Sequence, residues 1–371
     1  MLPGIARYDK DGLTTLVNSN RKASYATTTT QTMISQMNKF VAFLCRYYLL
    51  VRDTSTGAMT IPPVTAIHLI YFMGYLELAQ HTSYASIQSY CSTVRVWCRS
   101  QGRPDPGIGP ITNEPHLIYY GYCRAIKRKL AGKITKRVPL TLAQLELVLE
   151  KLQSDHICSV AVGVNMKAAL TMAFSLMLRI SEYTSQGNAK HEPGVSASRG
   201  DVEFFPSQER PEGFHFNVQK SKTDQFRVGC KLTVYAMPDS LVCPVRAMKS
   251  LFDTQPAPPS DPLFNFGATH KPKSSRILFT SLFVKLLKAA GISTDEIKPH
   301  SLRSGGATAY LAAGVDTYVI QKLGRWASWC FTIYTQLSTT TIKESQIAMA
   351  HGPRIHVPMD ITNIREDIHQ T

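Results

Sequence analysis

The sequence predicts a mainly helical protein with a small β-sheet (α+β), divided into a helical N-terminal domain and a mixed α/β second domain. Three observations carry that reading. Apolar residues recur at helical spacing through the first third of the chain, and the period switches to two in short stretches between residues 214 and 234. A length of 371 residues is enough for two domains of ordinary size, each with its own core. Hydrophobic residues at 44% and charged residues at 18% fit a folded chain rather than a disordered one.

Taken in order, residues 1–25 are polar and aperiodic, and are expected to form a flexible arm. Over 31–51 the apolar positions Met33, Met37, Phe40, Val41, Leu44, Tyr47 and Tyr48 have helical spacing. Pro62 and Pro63 suit the start of a second helix reaching about Leu78. Ile87, Tyr90, Val94 and Trp97 mark a third, and 117–130 reads as a fourth after a Pro/Gly-rich loop at 102–110. These make a helical bundle over 26–130, followed by a linker at 131–137. A second domain is expected over 138–350, with a tail at 351–371. It opens with Thr141 as N-cap of a helix over 142–152. One buried helix is expected over about 164–183. Phe214, Phe216 and Val218 then alternate with polar residues, as do Val228, Cys230, Leu232 and Val234, so two strands are expected, joined as a hairpin through 220–225. Residues 253–275 read as loop, with helices at 276–290, 301–313, 316–324 and 337–349.

The formal net charge of +15 points to an anionic partner, nucleic acid or a membrane surface. Through Arg137 there are 17 Lys and Arg against 6 Asp and Glu, so the surplus is concentrated in the first third. The apolar stretch 168–178 is bounded by Lys167 and Arg179, too short to span a bilayer, and residues 1–13 lack a signal-peptide core. The eight cysteines are scattered without a CxxC pair, so reduced cysteines inside a cell are expected, with no metal site. Between residues 124 and 137 stand Arg124, Lys127, Arg128, Lys129, Lys133, Lys136 and Arg137, with no acid among them. That run suits a segment tracking a DNA backbone through phosphate contacts; a solvated hinge or a nuclear-import signal is the plainer alternative.

Four signals in the second domain bear on chemistry. Arg179 closes a wholly apolar run and requires an anion, of which Glu182 is the simplest. Lys220 and Lys222 stand at the hairpin tip. His300 and Arg303 share one helix face at i and i+3, and the glycines that follow, Gly305 and Gly306, allow close backbone packing. The run Leu323-Gly324-Arg325-Trp326 precedes Tyr334. Together these residue types match one reaction. Phosphoryl transfer needs charge stabilised on the non-bridging oxygens, which arginines and a lysine supply without a metal. A tyrosine can act as nucleophile and a histidine can take its proton.

On these motifs the chain resembles the tyrosine recombinase (phage integrase) family. The order Arg179, Lys222, His300-x-x-Arg303, Trp326, Tyr334 is the family's order, and the string from His300 through Gly324-Arg325-Trp326 is most like the Crypton and DIRS-like recombinases of eukaryotic mobile elements. The resemblance implies a core-binding domain before a catalytic domain, double-stranded DNA as partner, a homo-tetramer on paired sites, no cofactor, and a nuclear location if the eukaryotic likeness holds. It implies Tyr334 as nucleophile forming a 3′-phosphotyrosine. Arg179 and Arg303 would lie on the non-bridging oxygens, Lys222 would protonate the leaving 5′-oxygen, His300 would assist the tyrosine, and Glu182 would act as a buttress. Two alternates stay open. Lys220 can replace Lys222. The family's His or Trp stands nine residues before the tyrosine, where this chain has Arg325; Trp326, one residue on, is expected to fill that role, with Arg325 as a third cation otherwise. A type IB topoisomerase, or a DNA-binding protein that has lost catalysis, is the competing reading.

Overall fold

The structure, a computed structural model, describes residues 27–80, 83–130, 138–154, 157–185, 191–219, 229–267 and 274–326, with positions 343 and 347. Lys133, Lys136, Arg137, Lys220, Lys222 and Tyr334 lie outside the described residues, as do the expected arm, linker, C-terminal helix (apart from positions 343 and 347) and tail. The chain divides into two compact units, Met1–Thr135 and Lys136–Thr371.

The first unit is helical: α1 (Thr27–Arg46), α2 (Ala66–Gln80), α3 (Tyr84–Ser100) and α4 (Leu117–Leu130). The apolar faces expected from the spacing meet in one core, with Phe40, Leu44, Phe72, Ile87, Val94, Tyr119 and Ile126 buried. Two features differ from expectation. A short antiparallel pair, β1 (Val51–Arg52) and β2 (Met59–Thr60), follows α1. Strands of two residues leave no periodic signal; the turn is made by Asp53, whose carboxylate accepts the N–H groups of Ser55 and Thr56. Helix α2 begins at Ala66 rather than at the two prolines. Its start is set by His68, whose Nδ1 accepts the Thr65 N–H at 3.1 Å.

The second unit holds α5 (Leu142–Ser154), α6 (Val160–Ser175), α7 (Ile180–Tyr183), β3 (Val202–Phe205), β4 (Gly213–Val218), β5 (Cys230–Tyr235), α8 (Pro244–Thr254), α9 (Arg276–Ala289), α10 (His300–Ala312) and α11 (Thr317–Leu323). The fold is mainly α with a small antiparallel sheet in the order β3-β4-β5. Thr141 caps α5 as expected: its Oγ1 accepts the Gln144 N–H at 3.2 Å, and Gln144 Oε1 accepts the Thr141 N–H at 3.0 Å. Phe214, Phe216 and Val218 face the core on alternate positions of β4, and Val218 pairs with Cys230, so β4 and β5 form the two arms of the expected hairpin. Strand β3, four residues long, and helix α8, which opens at Pro244 with Cys243 as its N-cap, were not expected from the sequence.

The single helix expected over 164–183 is two. Helix α6 ends at Ser175 in a turn where Met177 takes φ +48°, the Leu178 N–H returns to the Ala173 carbonyl at 2.9 Å, and the Met177 N–H returns to Phe174 at 3.2 Å. This is a Schellman stop with methionine in the left-handed place usually held by glycine. The apolar run gives no warning of it, since the methionine side chain is fully buried. Helix α10 packs on α6 through Gly305 and Gly306, where a Cβ would lie 2.0 Å from the Leu140 carbonyl oxygen and 2.2 Å from that of Phe174. No helix among the described residues is long and apolar enough to cross a membrane.

Candidate active site

Two turns and one helix build the site. The first turn, at the end of α6, leads through Arg179 into α7. Arg179 is extended, at φ −79° and ψ 142°, because Glu182 one helical turn later reaches back. Glu182 Oε2 accepts the Arg179 N–H and Oε1 accepts Arg179 Nη1, both at 2.9 Å. The simple pairing weighed from the sequence therefore exists. The carboxylate has a second cation as well: Arg325 Nη2 donates to Oε2 at 2.6 Å. With its side chain 0% exposed, Glu182 joins two arginines 146 residues apart in sequence.

The second turn ends α11. Gly324 is its C-cap, the Arg325 N–H returns to Lys322 and the Trp326 N–H to Gln321. Arg325 occupies the left-handed place at φ +57°. This repeats the Schellman stop of α6, again with a side-chain-bearing residue where glycine is ordinary. The glycine stands one place earlier, where a Cβ would lie 1.6 Å from the Trp326 ring. Trp326 folds back over Gly324 and packs with Met177, Ala307 and Ile320.

Helix α10 ties the turns together. Arg303, 1% exposed, donates Nη1 to the Met177 carbonyl and Nη2 to the Gly324 carbonyl at 2.5 Å. Its guanidinium lies 4.4 Å from the centre of the Trp326 ring, a cation–π contact. Arg325 Nη1 crosses to the Leu176 carbonyl at 3.4 Å. His300 is half-buried at the start of α10, one turn before Arg303 on the same face. The structure thus brings together Arg179, Glu182, Arg303, Arg325 and Trp326, with His300 at the mouth of α10. Two guanidiniums share the Glu182 carboxylate and a third, that of Arg303, is held on backbone carbonyls, so these side chains hold a surplus of positive charge suited to an anion.

Glu182's second partner and the two carbonyls that hold Arg303 were not readable from the sequence. The glycine of Gly324-Arg325-Trp326 was visible, but not its steric reason. Tyr183, next to Glu182, has its hydroxyl pushed up by burial and then by the Glu182 charge. It packs against Phe264 and Phe279 as a core residue, unsuited to attack. In the first unit Arg124, Lys127 and Arg128 lie exposed along α4 at i, i+3 and i+4, while Lys129 is bound to Glu77 of α2 at 2.7 Å. The described cysteines are free, and burial pushes the Cys91 thiol up to about 12, away from thiolate chemistry.

Residues 237–340 match the model described as the phage integrase family, a span that contains His300, Arg303, Arg325, Trp326 and Tyr334. Among solved structures the chain is similar to a lambda integrase dimer bound to a COC′ core site (16% identity over 89% of this chain and 82% of that one, TM-score 0.53). It is also similar to the Tn1549 transposon integrase in complex with circular intermediate DNA (15%, 89% and 97%, TM-score 0.54), and to XerH site-specific recombinase bound to palindromic difH substrate (13%, 78% and 73%, TM-score 0.51). No curated protein matches the chain by sequence. The family match is confined to residues 237–340, and the likeness to these integrases and to this recombinase is one of fold.

Proposed function

We propose that the chain is a site-specific recombinase that cleaves and rejoins double-stranded DNA through a 3′-phosphotyrosine at Tyr334. The observation that carries this reading is the pairing of Arg179 and Arg325 on one buried carboxylate, with Arg303 of α10 held on the Met177 and Gly324 carbonyls of the same two turns. A phosphodiester is the singly charged, oxygen-rich group that such a cluster fits. The Tyr334 oxygen attacks phosphorus as the bond to the 5′-oxygen breaks. His300 takes the phenolic proton, and Lys222, or Lys220 in its place, delivers one to the leaving oxygen. Arg179 and Arg303 stabilise the charge that grows on the non-bridging oxygens. Reversal by a 5′-hydroxyl restores the diester, so the covalent bond conserves its energy and the step calls for no metal or nucleotide.

In this reading the basic residues of 124–137 follow the DNA backbone between a DNA-gripping first domain and a catalytic second one. Four copies act on two paired duplexes, and the element served is of the eukaryotic Crypton or DIRS-like type, with a nuclear site of action. The test is covalent trapping on nicked suicide duplexes made from the sequences flanking the gene. The wild-type chain is expected to form a protein–DNA adduct and Tyr334→Phe none. An adduct retained by Tyr334→Phe removes the nucleophile assignment, and none with the wild type removes the reading.

A further inference from the structure

Helix α1 ends as α6 and α11 do. The Leu49 N–H returns to the Leu44 carbonyl at 2.9 Å, the Tyr48 N–H returns to Cys45 at 3.2 Å, and Tyr48 takes the left-handed place at φ +53°. A side chain in that place is unfavourable relative to glycine. At the other two stops the chain itself uses the side chain: Met177 is buried in the core and Arg325 is bound to Glu182. Tyr48 is 94% exposed, and its ring and hydroxyl meet no partner among the described residues. Its neighbour Tyr47 differs, since that ring packs on Phe43 and Tyr75. Nothing within the first unit accounts for an aromatic ring at position 48.

The charges around it favour an anionic partner. Tyr47 touches Tyr75 and Lys129 is bound to Glu77, so the end of α1 and the basic end of α4 lie at the same end of α2. Arg46 and Arg52, on either side of Tyr48 in the chain, are exposed, and so are Arg124, Lys127 and Arg128 on α4. Glu77 is the sole acid in the four helices, and Lys129 neutralises it. The Asp53 carboxylate is taken up by Ser55 and Thr56 of its own turn. Exposed cations with an open aromatic ring among them fit a nucleic-acid strand: the phosphates meet the cations and a base stacks on the ring. In a duplex the bases cover one another's faces, so the matching ligand is an unpaired stretch. Resting on the nucleic-acid partner proposed for the first unit, and not on cleavage by Tyr334, we infer that Tyr48 is a base-stacking residue and that this end of the unit holds a subsite for single-stranded nucleic acid.

Two labelled strands of about 12 nucleotides, within the span of one single-strand site, separate base from charge: oligothymidine, and the same sugar–phosphate chain built of abasic tetrahydrofuran units. Fluorescence anisotropy with the full chain measures both. Tyr48→Gly suits the left-handed turn, so it removes the ring without straining the backbone, and Tyr48→Trp keeps a stacking face. The wild type should hold oligothymidine more tightly than the abasic strand. Tyr48→Gly should weaken oligothymidine by roughly 5- to 100-fold, the loss of one stacked base, and the abasic strand by less than about 2-fold. Tyr48→Trp should restore most of the affinity. Equal losses on the two strands, or no loss on oligothymidine, would overturn the inference. So would a wild type that holds both strands equally, since the cations would then serve phosphates or an acidic protein alone. In a second readout, irradiated oligothymidine carrying 5-iododeoxyuridine should attach to Tyr48, located by mass spectrometry of the digested chain, and attachment only elsewhere would also overturn it. Covalent trapping on nicked duplexes by the wild type and not by Tyr334→Phe tests the proposed cleavage separately, so either can fail while the other stands.

Discussion

Glu182 is the residue on which the site turns. A carboxylate with no exposed side-chain surface holds the backbone N–H and the guanidinium of Arg179 and the guanidinium of Arg325. Burying an ion is unfavourable unless its partners satisfy it, and removing one member strands the others. Glu182→Ala is therefore expected to lower stability by about 3–5 kcal/mol, the usual penalty for breaking a buried pair. Chemical denaturation of the purified chain measures it, and a loss below about 1 kcal/mol, the value of a surface pair, would show that the arginines are solvated. Glu182 was legible from the sequence as Arg179's partner, because i and i+3 place them within reach. Its bond to Arg325 was not, because nothing local connects the two.

Among the elements, α10 is positioned by backbone contact. Gly305 and Gly306 let the helix approach Leu140 and Phe174 so closely that an added Cβ would meet carbonyl oxygens at 2.0 and 2.2 Å. Those oxygens belong to backbone and cannot rotate aside. Gly306→Ala should thus push α10 off α6, cost about 1–3 kcal/mol as overpacking does, and draw Arg303 away from the Met177 carbonyl. A melting temperature equal to that of the wild type would refute this. The pair of glycines after His300-x-x-Arg303 was recognisable as a packing device, while the surface it packs on was not. The two Schellman stops of the second unit show the same division. Gly324 and the end of α11 were close to expectation, but Met177 looked like mid-helix, because a left-handed methionine and a helical one have the same sequence.

At the scale of the whole molecule the charge distribution yields a prediction for DNA binding. Arg124, Lys127 and Arg128 are exposed on one side of α4, whereas the Lys129 ammonium is bound to Glu77. If the exposed three each meet a phosphate, changing them together to Gln should flatten the slope of log affinity against log salt by roughly 3, from about 0.9 per phosphate contact. Lys129→Gln should change it far less. Titrations of a labelled duplex across a salt series give both slopes, and an unaltered slope in the triple variant would remove α4 from the DNA path.

The sequence by itself determined the fold class, the helices of the first unit and the β4–β5 hairpin arms, because periodicity and capping are local properties of the chain. Only the tertiary structure decided what those residues do to one another. It placed Arg325 on Glu182, gave Arg303 two carbonyls and the Trp326 ring, and ended α6 two residues before Met177. Each of these depends on groups brought together by packing across more than twenty residues of chain or on a backbone angle imposed by the surroundings, and neither leaves a mark in the order of amino acids.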